Sequence, residues 1–370
     1  MAAELSRPRA MPRVADGVRL GIFVPNQKNA FFITSADGMT DATYANVRTS
    51  AVIGEEIGLS FLLPVARWKG LTGENVDFCP YGLETITLTG GLLEATSRIT
   101  VFTTIHADLF NPVIAANMGA ALDHIGDGRW GMNIVAGWNA ADFGSMGLTL
   151  REHTDRYAHA TAWLAAVREL WAKGTSSFSS PYWTLDQAEC RPRPVQRGGP
   201  LVVNAGHSPR GMQFAVENAD YLFTTDANAE TFRSVTEGHD DRDVGYIGRR
   251  FVIVRETQAE AEAVVDAIVA GGDRKAQAQL SAHGNRPVAE VEMELADPEV
   301  MRKAILGQAT IGSPEQVAVD LAEWAVDSAV DGICLTLFDY ERDLTLLGEK
   351  VFEKLGNELA GRGKQLVLEK

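Results

Sequence analysis

The chain has 370 residues, of which 45% are hydrophobic and 22% charged, a balance typical of a globular protein with a large core. Its net charge of −15 excludes a nucleic-acid binder that relies on a basic face, because phosphate backbones require clustered Lys and Arg. Three cysteines without CxxC spacing favour a cytoplasmic location and disfavour a metal site, and no apolar run has the length of a membrane span.

Short apolar runs alternate with longer amphipathic stretches from residue 18 to residue 370, after a polar, Pro- and Arg-containing segment that we predict to be a loose tail (residues 1–17). The predicted strands are 18–25, 59–65, 99–104, 129–136, 200–205, 221–224, 250–255 and 332–338. The predicted helices are 41–58, 83–97, 112–125, 152–173, 208–218, 259–270, 314–325 and 341–359. Eight strands that are mostly followed by helices predict one α/β domain, a (β/α)8 TIM barrel.

Two insertions interrupt this alternation. Residues 26–39 form a long loop after the first strand, and residues 271–310 are polar and poorly periodic. Loops that follow barrel strands lie over the mouth of the barrel, where active sites are found. The second insertion is therefore either a lid over the mouth or merely an exposed insertion, and its sequence pattern favours neither.

The fourth strand carries a polar residue in an apolar run, GRWGMNIVAGW, where Asn133 is flanked by Met132 and Ile134. A buried amide needs hydrogen-bond partners. An isoalloxazine or a pyrimidine ring would supply them, and so would a contact within the protein. Trp138 and Asp142 follow on the loop at the carboxyl end of this strand.

The third strand ends in TTIHADLFNP, which places Thr104, His106, Asp108 and Asn111 at the same mouth. His106 has the chemistry of a general acid or base. A single histidine is more often structural, so the pattern alone favours the structural interpretation.

Two helix starts are candidate anion sites. The strand at 200–205 is followed by Gly206, and a helix then begins at Ser208; free N–H groups at a helix start bind phosphate, and glycine permits close approach. Arg156 and Tyr157 lie in the first turn of the helix at 152–173 and offer a guanidinium and a hydroxyl donor. The alternatives are a plain N-cap at Ser208 and a solvated charged turn, and each motif taken alone favours its alternative.

The motifs LDHIGDGRWGMNIVAGW, EHTDRY and LVVNAGHSPRG occur in this order and together resemble the flavin-dependent group of the luciferase-like monooxygenases. The resemblance extends from Leu20 to Phe352. It implies a TIM barrel enzyme that forms a homodimer or homotetramer and uses reduced FMN and O2, through a flavin (hydro)peroxide. The FMN contacts implied by the resemblance are Ala66, Arg67, Asn133, Asp142, Arg156, Tyr157 and Ser208.

The resemblance also implies catalytic roles at the mouth. Asn133 and Thr104 would orient the flavin edge and oxygen, and His106 or Asp108 would position the substrate or move a proton. The chain has no dinucleotide-binding fingerprint, so NAD(P)H would act only through a separate flavin reductase.

Within the family, the first half is similar to the pyrimidine monooxygenases, which implies oxidative ring opening or amide cleavage of an N-heterocycle. FNPVIAAN and REHTDRY are also similar to the dimethylsulfone monooxygenases, and C–S cleavage of a small sulfone or sulfonate is the alternative. A deazaflavin-dependent oxidoreductase and a non-enzymatic flavin-binding protein are further alternatives. Three features depart from the pyrimidine pattern: Arg67 replaces Lys, Asp142 replaces Glu, and larger polar groups stand at His106, Asp108 and Asn111.

Overall fold

The computed structural model describes residues 7–239, 241–282 and 286–370. Eight parallel strands each pair with the next, and the eighth returns to the first, so the sheet closes into a barrel and confirms the predicted fold. These strands are β1 (Gly17–Phe23), β2 (Phe61–Leu63), β3 (Thr100–His106), β4 (Trp130–Val135), β5 (Leu201–Asn204), β6 (Tyr221–Thr224), β7 (Gly245–Val254) and β8 (Gly332–Leu337).

Helices surround the barrel, and the predicted long ones are found with small shifts at their ends. The α-helices are α1 (Tyr44–Glu56), α2 (Thr85–Ala95), α3 (Pro112–Ile125), α4 (Ala140–Ser145), α5 (His153–Lys173), α6 (Pro209–Asn218), α7 (Ala229–Thr236), α8 (Gln258–Ala270), α9 (Arg274–Ser281), α10 (Val288–Glu294), α11 (Pro298–Leu306), α12 (Pro314–Asp327), α13 (Tyr340–Leu346) and α14 (Phe352–Gly361). Among the described residues, no helix combines the length and the apolar character that crossing a bilayer demands.

The predicted closing helix at 341–359 is interrupted by a π-helical turn, Leu347–Val351. Gly348 packs against Ile57 so closely that a Cβ atom there would lie 2.4 Å from its Cγ2 atom. Several short elements were not predicted, because runs of two to eight residues carry too few apolar positions to show a period. These are α4, α7, an antiparallel pair (Thr175–Ser176 with Ala188–Glu189), Thr310–Gly312 beside β7, and Gln365–Val367 beside β1.

The prediction of a loose amino-terminal tail is wrong for residues 7–17; residues 1–6 lie outside the described part. Arg9 donates through both terminal nitrogens to the carboxylate of Asp220, each at 2.8 Å. Met11 is buried, and its carbonyl oxygen accepts a hydrogen bond from the hydroxyl of Tyr221. The segment thus closes the end of the barrel opposite the carboxyl ends of the strands.

The insertion at 271–310 is helical rather than irregular. Its helices α9, α10 and α11 bury Val291, Leu295, Met301 and Ile305 against Phe32 and neighbouring residues in a separate apolar cluster. Each helix has at most nine residues, so no single one shows a clear apolar period. Residues 283–285 lie outside the described part.

This insertion is tied to two loops, and we call residues 26–39, 64–82, 271–282 and 286–307 together the cap. The carboxylate of Asp273 accepts hydrogen bonds from the backbone N–H groups of Glu74, Asn75 and Val76 at 2.6 to 2.9 Å. The backbone N–H of Asp273 donates to the carbonyl of Ile33 at 3.0 Å. Asp273, the N-cap of α9, therefore joins the loops after β1 and β2 to the insertion.

Candidate active site

A cleft of about 870 Å³ opens at the carboxyl ends of the barrel strands, where TIM barrel enzymes carry their chemistry. Its walls come from the loops after β4, β5 and β6, from the first turn of α5, and from the cap. Of the sequence-predicted site residues, the cleft brings together Arg67, Arg156, Tyr157, Gly206 and Ser208. The cap contributes Gln277, Leu280, Ser281, Lys303, Ala304 and Ile305, so the insertion does lie over the mouth.

One corner of the cleft is built by the starts of α5 and α6. The Oγ atom of Ser208 accepts a hydrogen bond from the N–H of Gly211 at 3.1 Å, so Ser208 is an N-cap, and it also faces the cleft. Nε2 of His153 lies 3.1 Å from the same Oγ atom. Arg156 donates through Nη1 to the carbonyl of Gly137 at 2.6 Å, while its buried Nε has no partner among the described residues.

Two glycines allow close packing at this corner. A Cβ atom on Gly206 would lie 2.4 Å from the carbonyl carbon of Gly211, and one on Gly211 would lie 2.4 Å from the hydroxyl oxygen of Tyr157. Any side chain at either position would therefore collide with neighbouring protein atoms, so the present arrangement of Tyr157 and the start of α6 requires both glycines. Free N–H groups of a helix start, a guanidinium and a hydroxyl together form a site for a phosphate group.

The strands beneath the cleft carry a short chain of hydrogen bonds. Thr104 on β3 pairs in register with Asn133 on β4. The hydroxyl of Thr104 donates to the carbonyl of Pro64 at 2.6 Å and accepts from Nδ2 of Asn133 at 3.1 Å. Because the threonine proton is committed to Pro64, the asparagine must present its nitrogen there. Its buried Oδ1 atom has no partner among the described residues. Asn133 lies beneath the cleft rather than in its wall, to which the next residues of β4, Ile134 and Val135, belong.

His106 ends β3 on the same strand face as Thr104, two residues further on. Burial and, secondarily, the positive charge of Arg67 lower the pKa of His106 to about 4, although Asp108 opposes the shift. The imidazole is therefore neutral at pH 7. Its Nδ1 atom is buried and has no partner among the described residues.

Arg67 stands between the cleft and the loop after β2. Its guanidinium carbon lies 4.5 Å from the ring centre of Trp138 and 5.2 Å from that of Phe78. Nη1 lies 3.8 Å from Oδ2 of Asp142, whose Oδ1 atom accepts from the backbone N–H of Lys69 at 2.8 Å. Asp142 is buried behind Arg67 and is not part of the cleft wall; Ala66 lines a smaller cavity of about 230 Å³ beside Arg67.

The structure does not bring Asp108 to the cleft wall. Its Oδ1 atom accepts from Nε of Arg151 at 2.9 Å and lies 2.8 Å from Nδ1 of His159. Arg151 also donates to Asp155 at 3.2 Å. These contacts join the loop after β3 to the start of α5.

Three residues of the site were missed by sequence reasoning. His153 lies in a helix turn whose sequence favours a solvated, charged surface, so it was not assigned to the site. Asn204 ends β5, donates to the carbonyl of Ile134 at 2.7 Å and accepts from the N–H of Gly206 at 3.0 Å. Arg249 lies on β7 and lines the cleft. Asn204 carried the same signal as Asn133, a polar residue in an apolar strand, whereas Arg249 precedes the strand predicted at 250–255 and carried no such signal.

Five predicted residues thus hold buried polar atoms that lack a partner among the described residues: Nε of Arg67, Nδ1 of His106, Oδ2 of Asp108, Oδ1 of Asn133 and Nε of Arg156. Buried polar groups in folded proteins are almost always hydrogen-bonded. Their grouping at and beneath one cleft fits a polar ligand with an anionic end near α6 and a hydrogen-bonding ring above β4. FMN has both features.

Comparison with known proteins agrees with this geometry. The family model of the luciferase-like monooxygenases matches residues 18–332. The pyrimidine monooxygenase RutA of Klebsiella pneumoniae subsp. pneumoniae is 29% identical over 350 residues, covering 90% of this chain and 95% of the relative. The RutA protein of Pseudomonas savastanoi pv. phaseolicola is 30% identical over 346 residues, with the same coverage of both chains.

Solved structures share the fold. Riboflavin lyase RcaE, crystallised with modified FMN and its substrate riboflavin, superposes with a TM-score of 0.81 at 21% identity, over 96% of this chain and 94% of the other. EDTA monooxygenase EmoA from Chelativorans sp. BNC1 superposes with a TM-score of 0.75 at 18% identity, over 95% of this chain and 96% of the other. At these identities the likeness concerns the architecture alone.

Proposed function

Since the chain belongs to the luciferase-like monooxygenase family, we propose that this flavin-dependent monooxygenase takes reduced FMN from a separate reductase and uses O2 to oxygenate a small cyclic amide such as a pyrimidine. The substrate class is suggested by the relatives, which are named pyrimidine monooxygenases and align over most of both chains. The observation that carries the proposal is the group of unpartnered polar atoms at the cleft.

The phosphate of FMN would be held at the start of α6. The guanidinium of Arg156, the hydroxyl groups of Tyr157 and Ser208, and the free N–H groups of the first turn supply its donors. Gly206 and Gly211 would keep the strand end, the start of α6 and the hydroxyl of Tyr157 close together around that phosphate.

The ring of the flavin would lie over β3 and β4. Bound reduced flavin supplies the two electrons that activate O2, and the protein supplies orientation and exclusion of water. The Oδ1 atom of Asn133 would accept an N–H of the ring or of the substrate, because its amide orientation is fixed by Thr104. Arg67 would lie at the edge of the ring, held by Trp138 and Asp142.

His106 would act as a neutral hydrogen-bonding group rather than as an imidazolium acid. A pKa of about 4 makes it a weak base at neutral pH, since proton transfer is most effective when the pKa lies near the working pH. One ring nitrogen can donate to a substrate carbonyl while the other accepts. Asp108 would serve by fixing the start of α5.

A second substrate class has one observation in its favour. Arg249 faces the cleft, and no carboxylate oxygen of the described residues lies within 4 Å of its guanidinium. Such a cation would suit the sulfonate group of a C–S cleavage substrate. Uracil and methanesulfonate are therefore the two substrates to compare.

The phosphate site gives the first test. Arg156→Ala is expected to weaken FMN binding by about 10- to 100-fold, because a hydrogen bond to a charged group contributes about 1.5–3 kcal/mol. Riboflavin, which has no phosphate, should bind the variant and the parent almost equally. Arg233→Ala, an exposed arginine on α7, is the matched control. Equal losses for FMN and riboflavin would remove Arg156 from the phosphate site.

Turnover gives the second test. The protein is supplied with NADH, a flavin reductase, FMN and O2, and the consumption of uracil or methanesulfonate is followed by chromatography. Uracil loss that depends on both O2 and the protein supports the proposal; methanesulfonate loss supports the second class. Tight, selective binding of a deazaflavin without oxygen-dependent turnover would overturn both.

A further inference from the structure

His153, the first residue of α5, lies in the corner of the cleft between the starts of α5 and α6, which we call the phosphate corner. It is exposed, and it lines the cleft together with Arg156, Tyr157 and Ser208. Its Nε2 atom lies 3.1 Å from Oγ of Ser208, and its ring meets the ring of Tyr157 edge-on, with 5.3 Å between the ring centres. The imidazole thus lies beside two of the groups that would receive the FMN phosphate.

The hydrogen-bonding capacity of Ser208 determines what His153 can do there. A serine hydroxyl has one proton and two acceptor positions. One acceptor position is taken by the N–H of Gly211, because Ser208 caps α6. A phosphate dianion only accepts, so it requires the hydroxyl proton. The second acceptor position then remains for Nε2 of His153, and with phosphate bound this nitrogen must carry a proton.

The charges around His153 change when a phosphate binds beside it. Glu152 precedes it as the N-cap of α5. The charged side chains that share its cleft wall are Arg67, Arg156, Asp226, Arg249 and Lys303. Most of these are cations, and the positive end of the α5 dipole adds to them. A phosphate monoester carries nearly two negative charges at pH 7, and such charge next to an imidazole favours its protonated form.

We propose that His153 is a further phosphate-binding residue and that FMN binds together with a proton taken up by this imidazole. The inference rests on the proposed function, because it takes FMN as the ligand of the cleft. It adds a means of regulation to that site. An enzyme that receives reduced FMN from a reductase must release oxidised FMN after turnover, and loss of the proton from His153 would weaken the hold on the phosphate.

The sign of the pH dependence follows from the proton uptake. A ligand that binds together with a proton loses affinity as the pH rises. Histidine is the side chain whose charge changes near neutral pH, whereas the phosphate of FMN keeps its charge above pH 7. The affinity for FMN should therefore fall about 5-fold from pH 7 to pH 8.5, within the limit of 10-fold per pH unit for one linked proton. The affinity for riboflavin, which has no phosphate, should stay constant.

Proton uptake is measured by calorimetric titration of FMN into the protein at pH 7.5. Two phosphate-free buffers with different ionisation enthalpies are compared, because the difference between the observed heats gives the number of protons taken up. The parent should take up part of one proton per FMN, and riboflavin should cause no uptake. Neither measurement requires turnover.

Three variants separate the charge of His153 from its packing. His153→Gln keeps a hydrogen-bonding side chain without a charge, so it should abolish the uptake and the pH dependence and weaken FMN binding about 10-fold at pH 7. His153→Lys stays charged over the whole range, so it should bind FMN within about 3-fold of the parent at pH 7 and lose the pH dependence. His239→Gln is the matched control, since His239 is a half-buried histidine after α7 and does not line the cleft; it should behave like the parent.

The outcomes distinguish this inference from the proposed function. Absence of uptake by the parent, or equal uptake by the parent and His153→Gln, overturns the inference. In that event a loss of FMN affinity in Arg156→Ala, with riboflavin binding kept, still supports FMN as the ligand. If the parent binds FMN no more tightly than riboflavin at any pH, the phosphate corner itself is refuted, and the inference and the proposed cofactor are overturned together.

Discussion

Asp273 joins the insertion to the loop after β2, residues 64–82, which we call the flavin loop because the proposed FMN contacts Ala66 and Arg67 lie on it. Asp273→Ala is the perturbation we consider first. Its Oδ2 atom accepts from the backbone N–H groups of Glu74, Asn75 and Val76, and its Oδ1 atom accepts from Ala276 at the start of α9. The loop held in this way, residues 64–82, also carries Arg67. One carboxylate therefore fixes both the insertion and a wall of the cleft.

The magnitude follows from these four hydrogen bonds. Each bond to a charged group contributes about 1.5–3 kcal/mol, but the freed N–H groups regain water, so we expect a total loss of about 3 kcal/mol in the free energy of unfolding. With an unfolding entropy of about 2.1 cal/mol/K per residue, a chain of this length should lose about 4 °C in Tm. Displacement of Arg67 should weaken FMN binding by about 10-fold, or about 1.4 kcal/mol.

The effect should depend on pH. Burial by itself would raise the pKa of Asp273, but the four backbone donors outweigh it and hold the pKa below its usual value. The stabilisation is therefore present above the unfolded pKa of about 3.9 and is lost as the pH falls through the lower folded pKa. Parent and variant should approach equal stability only at a pH below the folded pKa of Asp273.

Thermal melts, FMN titration and amide hydrogen exchange of residues 73–78 provide the measurements. Asp266→Ala is the matched control, because Asp266 is an exposed carboxylate on the neighbouring helix α8. If Asp273→Ala has the same Tm as the control and the same FMN affinity as the parent, the insertion is not coupled to the flavin loop. Loss of Tm with unchanged FMN affinity would confine the role of Asp273 to stability.

Two further predictions concern the cleft itself. His106→Gln should not change the shape of the pH profile of kcat/KM between pH 6 and 7, because the histidine is neutral there. An inflection in this range that the parent shows and the variant lacks would contradict this. Between pH 6.5 and 4 the parent should lose about 3 kcal/mol that the variant keeps, since its folded pKa lies below its unfolded one; urea titrations at both pH values measure this. Gly211→Ala should displace the Tyr157 hydroxyl and weaken FMN binding at least 5-fold, with riboflavin binding much less affected, and fluorescence titration measures both affinities. Unchanged FMN affinity would refute the proposed phosphate site at the start of α6.

The barrel was predictable because its signals are local. Parallel strands buried on both faces read as continuous apolar runs, and helices such as α3 and α12 begin at a Pro after an Asn or Ser cap. The helices of the insertion carry the same signals, Asp273 before α9 and Asp297 with Pro298 at α11. They were missed because their apolar residues pack into a cluster shared by three short helices, which no single-helix period reveals.

The site was predictable only in part, for a related reason. Asn133 and the first turn of α5 were found because polar residues interrupt an apolar run or crowd a helix start. The partnership of Asn133 with Thr104, and the enclosure of Arg67 by Trp138, depend on the register of neighbouring strands and on loops distant in sequence. Sequence patterns do not contain that register, and Arg249 lies on a part of its strand that was not predicted, so its place in the cleft wall became visible only in three dimensions.

Charge is sorted within this molecule in a way that bears on how the cofactor arrives. The chain carries a net charge of −15, yet the cleft presents Arg67, Arg156 and Arg249, and no carboxylate of the described residues pairs closely with the latter two. A positive cleft on an acidic surface would concentrate field lines and guide an anion such as the proposed FMN to the site, and salt would screen this guidance.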